Sequence, residues 1–503
     1  MSSNTSATEG SLAGAPTAPG AVGQPRTRNL TVMAATGIGG AVLIMLAAAL
    51  VRGGWMEPHV IMPSIGPPWQ IPVRNVRIDV VTYSLWASAL LGVGGVAAGL
   101  LAVQRGARYR PRILIIGGLL IAAVLTVLPP AGSTDPLDYA AYGRILALGH
   151  SPYLLTPEYL RQIHDTFAQS VPISWEHDVS VYGPLATVEQ YLAARLGGDS
   201  PARVVFWLKL WNAVAFAGVA LVVDRLLRGG DPARRLRAHL LWTVNPLLLW
   251  DLLAAGHLDV LGAAAGLLGL LALGEQRPGT RPAMGRALAA GALLGIATDI
   301  KINYVLFGLG LAWALRRSLP ALAAATAAAL VVLVPSYAAF GMPAVKALVA
   351  RRNQASADNF YRTLLPHGWT PHLALIATAL VIAVAALALW RIPRALPDRP
   401  AIRPALAISA AWLFFWPYQL PWYDAMIICL LLLYPASRLD WLVLARLTAG
   451  TISNMPGDPY LHHGHLLNVT DHWAVHVIAP IVILAAAVGL VGLCVSGHWK
   501  LQE

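Results

Sequence analysis

Residues 79–131 read DVVTYSLWASALLGVGGVAAGLLAV (79–103), QRGARYRPR (104–112) and ILIIGGLLIAAVLTVLPPA (113–131). A helix needs about 20 apolar residues to cross a bilayer, and both outer stretches approach or exceed that length. The stretch between them carries Arg105, Arg108, Arg110 and Arg112. Short arginine-rich loops between apolar runs belong on the cytoplasmic side of a membrane.

The pattern repeats along the chain. Further apolar runs occupy 30–51, 203–227, 237–255, 257–274, 284–299, 302–315, 319–341, 372–390, 403–418, 420–435, 439–455 and 474–495. Together they predict an all-α, polytopic transmembrane bundle of about fourteen spans. Arg26 and Arg28, the cluster Arg225–Arg237, Arg316 and Arg317, Arg391–Arg403 and Arg438 then fall on one side, which puts both termini in the cytoplasm. Residues 184–197 carry Glu189 and Arg195 and would invert that alternation if they crossed, so they are expected as an interfacial helix. Residues 1–29 read as a disordered cytoplasmic tail, 30–495 as one membrane domain and 496–503 as a second tail.

Composition agrees. The 503 residues are 57% hydrophobic and only 12% charged, against about 25% charged in soluble domains. The net charge of +12 sits in the basic loops and does not point to nucleic acid. Cys429 and Cys494 lie inside apolar runs and predict no disulfide framework.

The long loops, 52–78, 132–202, 342–371 and 454–473, all fall on the outer side, so chemistry is expected there. Asp135 follows the third run directly, within Asp135-x-x-x-Tyr139-x-x-x-Gly143-Arg144 and ahead of Gly149-x-x-Pro152-Tyr153. Desolvation at the membrane edge raises a carboxylate pKa and suits a general base; the competing role is a helix N-cap. Asp138 is the alternate carboxylate, and residues 137–148 read as a short amphipathic helix bearing Tyr139. His257 and Asp259 fall in a predicted tight hairpin, either facing substrate or fastening the turn to each other. Lys301 suits a phosphate, or else pairs with Asp299. Arg351, Arg352 and Arg362 offer further phosphate or headgroup contacts. Gln419, Trp422 and Tyr423 are either a sugar platform or part of the interfacial aromatic belt. His462, His463 and His465 stand at no familiar ligand spacing, so no metal is expected.

Taken in order, these motifs, with Tyr182-Gly183-Pro184, Asn245-Pro246 and Gln419-x-Pro421-Trp422-Tyr423, resemble GT-C membrane glycosyltransferases. Within that class they are similar to the actinobacterial polyprenol-phosphomannose-dependent α-1,6-mannosyltransferases of lipomannan assembly. The resemblance implies a catalytic Asp135, a polyprenyl-phosphate sugar donor, a glycan or glycolipid acceptor, inversion at the sugar and no cofactor. It also implies a bacterial plasma-membrane enzyme whose site faces outward. Arg144 and Lys301 would answer the donor phosphate, and Tyr139, His257, Asp259, Gln419, Trp422 and Tyr423 the sugar or acceptor. One departure stands out: wider relatives carry the catalytic Asp just after the first span, where this chain has only Glu57 and Asp79. Arabinofuranose or glucose donors, or a lipid transporter, are the alternatives.

Overall fold

The computed structural model describes residues 24–51, 60–71, 76–276, 282–350, 354–365, 372–394, 396, 398–457 and 464–499. Helices follow one another from Gln24 to Ser496, and no strand occurs among the described residues. Lipid offers the backbone no hydrogen bonds, and a helix satisfies its own amides within one segment. Six described helices are long and apolar enough to cross a membrane: Arg26–Leu50, Ile78–Gln104, Pro201–Leu227, Leu319–Phe340, Leu373–Arg391 and His465–Ser496. The remaining apolar runs fall on shorter helices, such as Pro111–Val127, Ile302–Leu315, Ile402–Phe415 and Pro421–Leu431, or on a bent pair. The first helix begins at Gln24, earlier than expected, and residues 1–23 of the expected tail lie outside the described residues.

The bent pair matters most. Pro232–Ala254 and Asp259–Ala272 meet at 113°, so the hairpin expected at residues 256–259 is a corner of a broken helix. Two features make the corner. Leu249–Ala254 is wound as a π-helix, a rare turn often found at functional positions. Gly256 then takes a φ of +77°, which an L side chain rarely adopts.

Two helices outside the spanning set lie against each other beside this corner. Asp135–Ala147 starts with Pro136 in its first turn, where a missing N–H costs nothing. It packs on Pro184–Gly197, which occupies the 184–197 interval predicted for an interfacial helix. The contact is close because residue 143 is glycine: a Cβ there would stand 2.1 Å from the Gln190 carbonyl oxygen.

At the arginine-rich end, Arg237 is buried and donates to Asp440, with Nε–Oδ2 at 2.6 Å and a further bond to the Tyr434 carbonyl at 2.9 Å. Asp224 gathers Arg228, Arg235 and His239 beside it. Removing one member of a buried pair strands the other charge and costs about 3–5 kcal/mol. Arg237→Met is therefore expected to lower the thermal midpoint of the detergent-purified protein by several degrees, whereas Arg225→Met, at an exposed position, leaves it in place. Equal midpoints in a fluorescence melting assay would remove the pair from the stabilising framework.

Candidate active site

A cavity of about 1140 Å³ opens at one end of the bundle. Its wall is drawn from almost every segment that the arginine alternation assigned to one side. Asp135, Asp138 and Tyr139 enter from the Asp135–Ala147 helix, Tyr182 and Trp175 from the following loop, Lys301 from the end of Met284–Ile300. Arg362, Trp416, Trp422, Tyr423, Asn454, Asn468, His472 and His476 complete the lining.

Asp135 is the first residue of its helix, and Thr134, not Asp135, holds the N-cap position. The Asp135 side chain is spent elsewhere. Its Oδ2 accepts from the Tyr139 hydroxyl at 3.3 Å and lies 3.4 Å from His257 Nδ1. Tyr139 in turn accepts from the Tyr182 hydroxyl at 3.1 Å. Both contacts fall on Oδ2, and no partner of Oδ1 occurs among the described residues. The expected upward pKa shift is not what the geometry gives. Burial does push the Asp135 carboxyl up, but His257, the Lys301 charge and the Tyr139 hydroxyl outweigh it and hold the carboxyl below its usual value.

His257 does not face the cavity. The corner of the broken helix buries it completely, and its ring stacks on Trp422 with centroids 3.4 Å apart and planes at 14°. Asp259 is also buried, and both of its oxygens accept from Lys301 Nζ at 2.8 Å. So the partner of Lys301 is Asp259 and not Asp299. Asp299 instead receives the Leu185 amide at 3.3 Å, and a Cβ on Gly183 would collide with its carbonyl, 1.6 Å away. That approach explains the glycine in Tyr182-Gly183-Pro184. Lys301 remains 12% exposed and sits 4.0 Å above the Tyr423 ring.

Other expected site residues are placed differently. Arg144 is held by Asp165 at 2.8 Å and Asp199 at 2.9 Å, and it is not part of the cavity wall. Gln419 donates to the Trp412 carbonyl and is buried behind the wall. Tyr153 ties the Tyr182 carbonyl at 2.8 Å, so its motif is scaffolding. Asp138 is buried and lines the cavity. Trp422, Tyr423 and Arg362 line it as well, while Arg351, Arg352, His462 and His463 lie outside the described residues. Tyr182, His472 and His476 were given no role from sequence. The i, i+4 spacing of the two histidines beside an amphipathic segment was the available signal. Among the described residues no group of three or more His, Cys, Asp or Glu could hold a metal ion.

Residues 34–317 match the family model described as alpha-(1->6)-mannopyranosyltransferase, N-terminal domain. The chain belongs to this α-(1→6)-mannopyranosyltransferase family. It is a glycosyltransferase, and the matched region holds Asp135, Tyr139, Tyr182, His257, Asp259 and Lys301. No curated protein matches the transferase significantly. Among solved structures it is similar to ArnT from Cupriavidus metallidurans bound to undecaprenyl phosphate, at 18% identity over 76% of this chain and 77% of that one, with a TM-score of 0.39. It is also similar to the archaeal oligosaccharyltransferase AglB from Archaeoglobus fulgidus, at 15% identity over 75% of this chain and 56% of that one, with a TM-score of 0.33.

The cavity wall makes an accessibility prediction for the transferase. In a variant with Cys429 and Cys494 replaced by alanine, single cysteines at Ser174, Arg362 and Asn468 should all react with a membrane-impermeant maleimide from the same side. A cysteine at His257 should stay unlabelled, since that position is enclosed. Labelling of the three wall positions from opposite sides would break the single cavity.

Proposed function

We propose that this transferase, a membrane enzyme of the GT-C type, moves mannose from a β-linked polyprenyl monophosphate to a hydroxyl of a cell-envelope glycan, on the outer face of a bacterial plasma membrane. The observation that carries this reading is an ionised Asp135 on the wall of a cavity large enough for a sugar and its acceptor, with Oδ1 left for a substrate proton. The family's α-(1→6)-mannopyranosyl chemistry favours mannose over arabinofuranose or glucose. The arginine alternation, which puts both termini in the cytoplasm, supports the outward face.

The acceptor is the primary hydroxyl that an α-1,6 linkage requires. Asp135 takes its proton as the oxygen attacks the anomeric carbon, and the bond from that carbon to the phosphate oxygen breaks. Polyprenyl phosphate leaves with the electron pair, and the β-linked donor gives an α-linked product. The transition state is oxocarbenium-like, as in glycoside hydrolysis. The leaving group is already an anion, so it needs charge stabilisation more than a proton. Arg362, on the cavity wall, supplies part of that charge, while the Lys301 charge is already answered by both oxygens of Asp259. Trp422 and Tyr423 offer faces on which a sugar ring can lie. His257 acts through Asp135 and not on substrate. The scheme asks for no metal ion.

Two outcomes test the assignment of the base. Asp135→Asn should lower kcat by about 10²–10⁴-fold, the usual cost of losing a general base, while lipid-phosphate binding and the melting temperature hold. Asp138→Asn, at a buried position, should act mainly on stability. Turnover kept by the first variant and lost by the second would exchange the two roles.

The pH profile tests the positioning role of His257. The active form of Asp135 is the deprotonated one, and its pKa lies below the ordinary carboxylate value. Wild-type kcat/KM should therefore show no Asp135 limb between pH 5 and 7, since the carboxylate persists below that window. His257→Gln removes a bond and a charge that hold the carboxylate ionised. Its acid limb should move to higher pH, by an amount read directly from the fitted profile. An unmoved limb would dissociate His257 from the base.

A further inference from the structure

Three charged or chargeable groups, His257, Asp259 and Lys301, stand around Asp135. Lys301 is neutralised by both oxygens of Asp259 at 2.8 Å, and His257 faces the Asp135 carboxylate at 3.4 Å. A phosphodiester donor brings one negative charge, and its phosphate approaches two as the sugar departs. The reaction centre therefore has no surplus cation for the leaving phosphate, and the donors must come from another wall of the cavity.

The last helix supplies them. His465–Ser496 is 32 residues long, which at about 1.5 Å per residue is far more than the ~30 Å hydrocarbon core requires. Counting back from Ser496, about 20 residues fill that core and end near Val477. His476 and His472 then stand immediately above the hydrocarbon, at the depth of lipid phosphates. Trp473, between them in sequence, is 56% exposed, as an interfacial tryptophan should be. The two imidazoles lie side by side with centroids 5.0 Å apart at a π-helical turn, and both line the cavity. Asn468, one turn earlier, lines the cavity as well. Asp471 lines it too, so binding there draws on imidazole N–H donors and not on bulk positive charge. Arg362, from the Phe360–Leu364 helix, is exposed to the same cavity.

We propose that His472 and His476, with Arg362, form the site that receives the phosphate ester of the polyprenyl lipid and takes up its growing charge as the sugar leaves. This rests on the donor assignment above. The helix thereby does two tasks: its apolar part spans, and its overhang holds the lipid headgroup where the prenyl chain can stay in the membrane.

The test uses the full-length protein in detergent and in vesicles, with undecaprenyl phosphate as the binding probe. Losing two charge-assisted hydrogen bonds should weaken undecaprenyl phosphate binding by at least about tenfold in His472→Phe/His476→Phe, which carries no donor at either position. The donor KM should rise to match, with the acceptor KM and the melting temperature unchanged. His465→Gln, on the same helix but away from the cavity wall, should behave as wild type. Should the double variant fail to fold, the two single variants carry the same measurement. Unchanged lipid binding and donor KM would overturn the site. Inorganic phosphate competing as strongly as undecaprenyl phosphate would overturn the assignment to lipid and make this a free-phosphate site. If no polyprenyl-phosphate mannose is turned over by wild type, yet the variants lose undecaprenyl phosphate, the phosphate site stands and the donor reading falls.

Discussion

Two contacts hold the proposed reaction centre together: Asp135 with His257, and the ion pair of Asp259 with Lys301. Both depend on three consecutive residues, His257-Leu258-Asp259, at the corner where one helix breaks and turns through 113°. The corner is itself secured from outside. Asn212 donates to the His257 carbonyl at 3.1 Å, and Tyr304 donates to the Asp259 carbonyl at 2.7 Å. The Trp422 ring covers His257. Segments far apart in sequence thus meet through a single turn, and a displacement of that turn would move the base and the lysine together.

The local charge balance has a chemical consequence. An isolated carboxylate in this enclosed position would favour its neutral form, because desolvation penalises charge. His257 and Lys301 reverse that preference and keep Asp135 ready to accept a proton. The same compensation leaves little positive charge for a phosphate beside the base. In the proposed scheme the two duties fall to different residues of the cavity lining: proton transfer to Asp135, anion binding to His472, His476 and Arg362. The Tyr423 and Trp422 rings add uncharged surface to the same cavity lining.

Buried polar contacts elsewhere serve shape. Beneath the cavity, Arg446 pairs with Asp424, Thr451 donates to Asp251 at 2.7 Å and Ser453 donates to Asp358 at 2.7 Å. These tie the broken helix, the Pro421–Asp424 turn and the Arg438–Ser453 helix into one floor. Polar groups removed from water need such partners, and in lipid there is no alternative donor. At the opposite end Arg237 and Asp440 perform the same service. Arg237 was read from sequence only as one more positive charge in a basic loop, yet it is among the most enclosed side chains of the protein.

That contrast generalises. Apolar run length is a local property, so the all-helical membrane body, the helix at Pro184–Gly197 and the helix opened by Asp135-Pro136 were all legible in the sequence. Asp135 stood out in the sequence as well, because a carboxylate at the end of a span is costly without a purpose. The Gly143 and Gly183 motifs were legible as patterns, but their reason, carbonyls of Gln190 and Asp299 pressed against them, was not. Partner choice is decided by packing between separate segments of the chain. Lys301 therefore chose Asp259 over its near neighbour Asp299, Arg144 was drawn away to Asp165, and His257 went behind Asp135, off the cavity lining. The sequence alone determined which residues could bear charge in lipid; only the tertiary structure decided which charges meet, because Coulomb energy depends on distances that no local pattern contains.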